Sequence, residues 1–215
     1  IRALLLIQMK ESQERSIQKR YYSSTAGEYE NMHVSEGDEH YMALSLMSGL
    51  TGYLNINSIL DIGAGTGRAV RYCKENMPGI KALGIEPVSA LREIAYKNGV
   101  SQDELTNGDV MDLEYSDGEF DLVCAFGVLH HVRRPDRAIA EMIRVAKTAI
   151  FISDSNNFGQ GTLLARLVKQ CINGLGLWKL ADFIKTRGKG YIITEGDGLS
   201  YSYSVFNNYD QIRKA

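Results

Sequence analysis

Between Ile59 and Arg68 the chain reads ILDIGAGTGR, an apolar stretch that runs directly into glycines at positions 63, 65 and 67. Ser58 to Ile62 is short and bounded by glycine, as a buried strand is, and from Thr66 onward Ala69, Val70, Tyr72, Cys73 and Met77 recur at roughly helical spacing. Strand, tight turn and helix in that order commit the chain to an α/β unit. Glycine has no side chain, so the turn closes tightly and its backbone can approach a ligand, while the helix that follows presents unpaired amide hydrogens at its N-terminus. The loop is built for contact with a nucleotide-type cofactor.

A dinucleotide-binding turn follows GxGxxG, which would need glycine where Arg68 stands; the pattern present is GxGxG. Asp61, two residues before Gly63, sits poorly beside a pyrophosphate and well beside an ammonium group, which favours a cationic amino-acid ligand. With this pairing the segment resembles motif I of the class I, Rossmann-like S-adenosylmethionine-dependent methyltransferases. The resemblance implies that Asp61, Gly63, Ala64, Gly65 and Gly67 surround that cofactor. In KALGIEP, a second strand candidate, Glu86 lies 19 residues after Gly67 and is followed by Pro87. A carboxylate there accepts both ribose hydroxyls, a role it also plays in NAD-binding folds. The stretch NGDVMDLEYSDGEFDLVCAFGVLHHV resembles the remaining cofactor motifs of the family. By that resemblance Asp109 accepts from the adenine amino group, the Val110 backbone faces the ring, and the strand Phe120 to Phe126 delivers Phe126 and Gly127 to the sheet edge above the sulfonium; His130, in an LHHV stretch that in many relatives packs the loop, is a separate candidate for cofactor contact. Taken singly, the glycines could serve chain geometry alone and Asp61 or Glu86 could cap a helix. The ordered set favours a cofactor site, and the resemblance covers residues 20 to 153.

Strand patterns fall near 58–62, 81–86, 103–106, 120–126 and 148–153, with helical patterns between them. This alternation predicts a doubly wound, mostly parallel Rossmann-like sheet with right-handed crossovers, helices on both faces and a ligand at the C-terminal strand edge. After Pro135, Ile139, Met142, Ile143 and Ala146 form one apolar helical face. One domain is expected, with a helical cap over 1–57, a cofactor-binding core over 58–153, a lid and substrate region over 154–206, and the start of a further element over 207–215. The chain begins with isoleucine and stops in what resembles the helix before the sheet's final two strands, so a closing antiparallel pair is expected to be missing and the fifth strand's edge exposed.

Many relatives carry a Gly-Gly turn before the fifth strand, whereas this chain reads RVAKTAIFISDSNNFGQG. Ser153, Asp154, Ser155, Asn156 and Asn157 crowd the end of that strand, where Asn156 and Asn157 are candidates for substrate contact and equally good turn formers. Beyond Gly161, TLLARLVKQCING and LWKLADFIK read as two short helices, and GKGYIITEGDGLSYSYSV as a hairpin turning at EGDG. Alternation would put Tyr201 and Tyr203, with Tyr191, on one hairpin face, as candidate substrate contacts in a lid over the acceptor; a core-packing hairpin is the plain alternative. Upstream, YYSSTAGEYENMHV resembles the cofactor-covering helix of small-molecule methyltransferases, with Tyr22, Ala26 and Tyr29 at family-like spacing. Tyr29 is the better candidate to cover the cofactor, its ring face toward the sulfonium.

Methyl transfer needs positioning and solvent exclusion more than a metal. No HExxH or cysteine cluster is present, and a strand continuing through His130 and His131 would point the two rings apart, so no metal site is expected. His131 is the candidate base that takes a proton from the acceptor. A net charge of −2 gives no global basic footprint, which argues against nucleic acid, and the cluster Lys185, Arg187 and Lys189 reads as a solvated face. No stretch reaches the roughly 20 apolar residues that span a bilayer, and IRALLLIQMK reads as helical packing surface, so no membrane partner is expected. Three cysteines, Cys73, Cys124 and Cys171, lie within helical or strand patterns and read as buried free thiols of a cytoplasmic protein. The expected function is transfer of a methyl group from S-adenosylmethionine to an oxygen or nitrogen of a small polar molecule. The alternatives are an NAD(P)-dependent oxidoreductase, against which Arg68 and Asp61 count, and a cofactor-binding regulatory domain.

Overall fold

The computed structural model describes residues 2–30 and 38–215, with side chains described from residue 11 onward. The packing surface expected of the opening apolar stretch rests on side chains outside the described ones, and so do residues 31–34 of the aromatic segment.

Five strands, β1 (Ser58–Ile62), β2 (Lys81–Ile85), β3 (Leu105–Thr106), β4 (Phe120–Phe126) and β5 (Ala146–Ser153), form one parallel sheet in the order β3-β2-β1-β4-β5. The helices are α1 (Arg2–Thr25), α2 (Glu39–Thr51), α3 (Arg68–Asn76), α4 (Ser89–Lys97), α5 (Pro135–Val145), α6 (Leu163–Gly174), α7 (Trp178–Lys185) and α8 (Tyr209–Arg213). A hairpin, β6 (Ile192–Thr194) with β7 (Gly198–Ser200), is antiparallel and separate from the main sheet.

Period-two alternation sorts the strand side chains into two cores. Ile59, Ala82, Leu122 and Cys124 join Leu44 and Met47 of α2 and Ala69, Val70 and Cys73 of α3 on one face. Leu60, Ile62, Ile85 and Ala125 join Ala138, Ile139, Met142 and Val145 of α5 on the other. Each fully buried leucine or isoleucine contributes about 1.5–3 kcal/mol, and both layers press the sheet into the α/β sandwich the alternation predicts. The strand order reverses between β1 and β4, which opens a crevice at their C-terminal ends.

Two strand boundaries and the burial of one cysteine differ from expectation. The third strand keeps only Leu105 and Thr106, because a turn from Ser101 to Glu104, closed by the Glu104 carboxylate on the Ser101 amide at 2.7 Å, consumes the residues before it. The fifth strand begins at Ala146, paired with Phe120, so Ala146 leaves the expected helical face, which Ala138 and Val145 complete instead. Cys73 and Cys124 are buried free thiols, but Cys171 is exposed, since α6 buries none of its residues.

The hairpin turns at Glu195 to Asp197 and packs through β7 against α1, where the Leu199 amide donates to Gln18 and the Tyr21 hydroxyl to the Glu195 carbonyl. Its aromatic face is shared differently from expectation. Tyr191 and Tyr201 meet edge-on at 6.4 Å, while Tyr203 turns into the α5-side core with 3% exposure, because the chain folds back at Ser204, whose side chain caps the Phe206 amide.

Candidate functional site

The turn after β1 is held by backbone bonds, from the Ala64 amide to the Ile85 carbonyl at 2.9 Å and from the Gly67 amide to the Ala64 carbonyl at 2.8 Å. Gly63 and Gly65 have φ of 66° and 56°, and a Cβ on Gly65 would stand 3.0 Å from the Tyr29 hydroxyl. Only glycine suits that left-handed backbone so close to a covering ring. The Gly65 amide donates to Glu86 Oε2 at 3.0 Å and the Val88 amide to Oε1 at 2.8 Å, which fixes the carboxylate just beyond β2. Burial outweighs these bonds and pushes Glu86 up to about 7.

These residues border a cavity of about 480 Å³. Gly63, Gly65, Glu86, Pro87, Asp109, Val110, Phe126 and Gly127 line it, with Tyr29 and Tyr22 on the opposite side. Burial, then the charge of Glu86, raises the Tyr29 hydroxyl, so it stays a neutral phenol. Asp61, Ala64 and Gly67 do not line the cavity. Asp61 lies buried beneath the loop, accepts the Cys124 thiol at 3.8 Å, and is pushed up to about 7 by burial. Asp109 accepts from the Met111 amide at 3.0 Å and pairs with Arg15 of α1, a helix that also brings Ser12, Gln18 and Lys19 to the cavity wall.

A second, larger cavity of about 1020 Å³ lies beneath α6, α7 and the hairpin. Asn156, Asn157, Tyr201 and Tyr203 all line it, and Gly127 and Tyr201 border both cavities. Asn156 accepts from Ser204 and Asn157 donates to Ser202, while Asn157 Oδ1 and the Tyr203 hydroxyl are buried with no partner among the described residues. Buried polar atoms without partners are uncommon in folded proteins, and these two lie at the wall of a cavity.

The histidine pair departs from expectation. β4 stops at Phe126, and Leu129 to His131 form a 3₁₀ turn that stacks the two rings 3.9 Å apart instead of pointing them to opposite sides. Their cavities are also exchanged, with His130 lining the larger chamber and His131 the smaller. His130 Nδ1 donates to Asp154 at 2.7 Å and its Nε2 lies 3.4 Å from Asp197. Burial alone would lower this imidazole, but Asp154 and Asp197 together lift it to about 9, which holds it as a cation at neutral pH. Asp154 has a fully buried carboxyl; burial alone would raise it, yet His130 and the amides of Ser155 and Leu129 hold it below the usual range. His131 Nδ1 donates to the Leu199 carbonyl at 2.7 Å, and its Nε2 faces the Tyr22 hydroxyl at 2.9 Å and Asp197 at 3.3 Å. His130, His131 and Asp197 come close enough to share one cation, a grouping that sequence spacing did not reveal.

Two contributions escaped the sequence. The polar stripe of α1, with Ser12, Arg15, Gln18, Lys19 and Tyr22 three or four residues apart on one helical face, was a readable signal. Asp197 was not readable, since an EGDG turn has the same composition whether or not its carboxylate reaches a distant histidine.

Residues 60–151 match the family described as a methyltransferase domain. Over that segment, a little under half of the chain, this chain is similar to methyltransferase domains. The matched segment holds the glycine loop, Glu86, Asp109 and the histidine pair. The chain is 36% identical over 94 residues to norajmaline N-methyltransferase of Rauvolfia serpentina, a match covering 41% of this chain and 32% of that protein. It is 33% identical over 95 residues to demethylmenaquinone methyltransferase of Thermotoga maritima, covering 44% and 41% respectively. The match thus spans about a third of the length of the first relative. In fold, this chain is similar to a solved phosphoethanolamine N-methyltransferase of Haemonchus contortus, with TM-score 0.57 and 19% identity over 83% of this chain and 44% of that one. It is also similar to a solved methyltransferase of Thermotoga maritima described as a possible histamine N-methyltransferase, with TM-score 0.53 and 20% identity over 86% and 93% of the two chains. Among the described residues no helix is long and apolar enough to cross a membrane.

Proposed function

We propose that this chain transfers the methyl group of S-adenosylmethionine to an oxygen or nitrogen of a small polar molecule. The observation that carries the reading is the convergence of the glycine loop, the buried Glu86 carboxylate and Asp109 on one cavity at the β1/β4 crevice. The residues fit the cofactor. Glu86 keeps lone pairs beyond those the Gly65 and Val88 amides use, enough to accept a ribose diol, and a Cβ on Gly63 or Gly65 would crowd the loop. Asp109 and the Val110 backbone suit the adenine end, Tyr29 covers the middle, and Phe126 and Gly127 face the sulfonium end. Asp61, which does not line the cavity, acts on the ligand's ammonium group through its charge from beneath the loop.

When bound, the cofactor supplies a methyl group on a positively charged sulfur, a good leaving group for in-line attack. The chain supplies position and dryness. The roof of α1 and the hairpin exclude water, and the shared wall at Gly127 and Tyr201 marks where the two cavities meet. The larger chamber suits the acceptor, with Asn157 Oδ1 and the Tyr203 hydroxyl as buried groups awaiting a polar partner. His131, whose Nδ1 proton is committed to Leu199, offers Nε2 to take the acceptor's proton, whereas His130 is already held protonated. The relatives that methylate nitrogen on small molecules support the substrate class.

The test is calorimetric titration of the full-length chain with S-adenosylhomocysteine and, in parallel, NADH. Selective binding of S-adenosylhomocysteine supports the reading. Binding of NADH alone overturns it in favour of an oxidoreductase, and tight binding with no transferred methyl label across acceptor screens leaves a regulatory domain.

A further inference from the structure

α6 and α7 are built inside out. Their chamber side carries Lys169, Ile172, Trp178, Ala181, Asp182 and Lys185, while the opposite side carries the large apolar residues. On α6, Leu163, Leu164, Leu167 and Val168, with Leu175 just after it, fall on one helical stripe, and Leu164 is 73% exposed. On α7, Leu180, Phe183 and Ile184 continue the surface, with Phe183 63% exposed. Neither helix buries a single residue. Monomeric proteins rarely leave so many large apolar side chains together in water.

The charge around this surface is equally one-sided. Residues 162–190 hold six basic residues against the single acid Asp182, in a chain of net charge −2; Lys169 and Lys185 line the chamber, as Asp182 does, while Arg166, Lys179, Arg187 and Lys189 lie outside its lining. An apolar stripe flanked by lysine and arginine has the chemistry of a helix that lies in the interface of an anionic bilayer. We propose that the α6–α7 hairpin is a docking face for an anionic lipid membrane, which seats the larger cavity, lined by the inner side of the same helices, at the bilayer surface. The proposal goes beyond methyl transfer and stands apart from the identity of the cofactor. It assigns a membrane partner where composition alone suggested none.

The experiment is co-sedimentation of the full-length chain with vesicles of pure phosphatidylcholine and with vesicles carrying phosphatidylglycerol. With each basic residue near the surface contributing about 1 kcal/mol, engagement of two or three favours the anionic vesicles roughly 30- to 150-fold, and high salt removes the preference. Leu164→Glu with Leu167→Glu abolishes sedimentation, and Arg166→Glu with Lys179→Glu removes the anionic preference. None of these four residues lines either cavity, so S-adenosylhomocysteine titration serves as the check that each variant is folded. Failure of the wild type to sediment with either vesicle, equal sedimentation with both, or variants that bind like wild type overturns the proposal. So does a dimer in analytical ultracentrifugation that the leucine variants dissolve while vesicles are ignored, which makes the face a contact between two copies of this chain.

Discussion

Glu86→Gln tests the cofactor site at its most constrained atom. Glu86 is 5% exposed and its two oxygens receive the Gly65 amide at 3.0 Å and the Val88 amide at 2.8 Å. Glutamine keeps the shape but turns one oxygen into a donor, so one backbone amide loses its acceptor and one ribose hydroxyl faces another donor. Hydrogen bonds to a charged group contribute about 1.5–3 kcal/mol each and an unsatisfied buried donor costs about 1–3 kcal/mol. The ligand therefore loses about 2–4 kcal/mol, or roughly 30- to 1000-fold in Kd for S-adenosylhomocysteine. The pH dependence carries an independent sign. Burial raises Glu86 from 4.5 to about 7, so the folded state favours the protonated acid. Its contribution to stability is complete below 4.5 and is lost as pH rises through about 7, a difference of about 3 kcal/mol to order of magnitude. Asp61, raised by burial to about 7, acts in the same sense, so Glu86→Gln halves this loss of stability and does not abolish it. Ligand binding runs the other way, because the ribose hydroxyls need the carboxylate, and wild-type affinity rises between pH 6 and 8 more steeply than the variant's, which keeps only the rise due to Asp61. Calorimetric titration at both pH values, with urea melts of the free protein, reads both effects. A variant that binds within threefold of wild type at pH 8, or a wild type indifferent to pH, refutes the assignment.

Gly63→Ala forces a Cβ to within 2.7 Å of Val128 Cγ2 at a φ of 66°, and urea melts are expected to show a loss of about 1–3 kcal/mol together with weaker cofactor binding. Arg133→Ala leaves Glu14, 3% exposed, with only the Tyr201 hydroxyl as partner, which costs about 2–3 kcal/mol in thermal melts; adding Glu14→Gln recovers part of it, and no recovery would mean the ion pair is not the cause. His131→Ala is expected to lower kcat by about 10²-fold or more at neutral pH while the Kd of S-adenosylhomocysteine stays within threefold, and wild-type turnover by this variant across pH would remove the base role.

What could be read from the sequence was what neighbouring residues decide. The glycine loop and Glu86 follow from spacing within a strand, turn and helix, and the two cores follow from alternation along each strand, so both emerged where expected. The roles of His130 and His131 depend instead on partners far along the chain. Asp154 lies 24 residues from His130, Leu199 lies 68 from His131, and Asp197 reaches both rings only because the hairpin packs on α1. These contacts make the two neighbours chemically different. A buried carboxylate on Nδ1, with Asp197 at Nε2, keeps a proton on His130, whereas His131 has a neutral carbonyl on Nδ1 and shares Asp197 at its Nε2. The two rings also part in space, since His131 lines the smaller cavity and His130, held as an imidazolium, the larger. On the proposed function, an acceptor carrying a partial negative charge is drawn toward His130, and His131 is the proposed proton acceptor beside it. On that proposal, Asp154→Asn, which weakens the hold on the His130 proton, is expected to raise the KM for the acceptor with a smaller effect on kcat. A fall in kcat at unchanged KM would assign proton transfer to His130 instead.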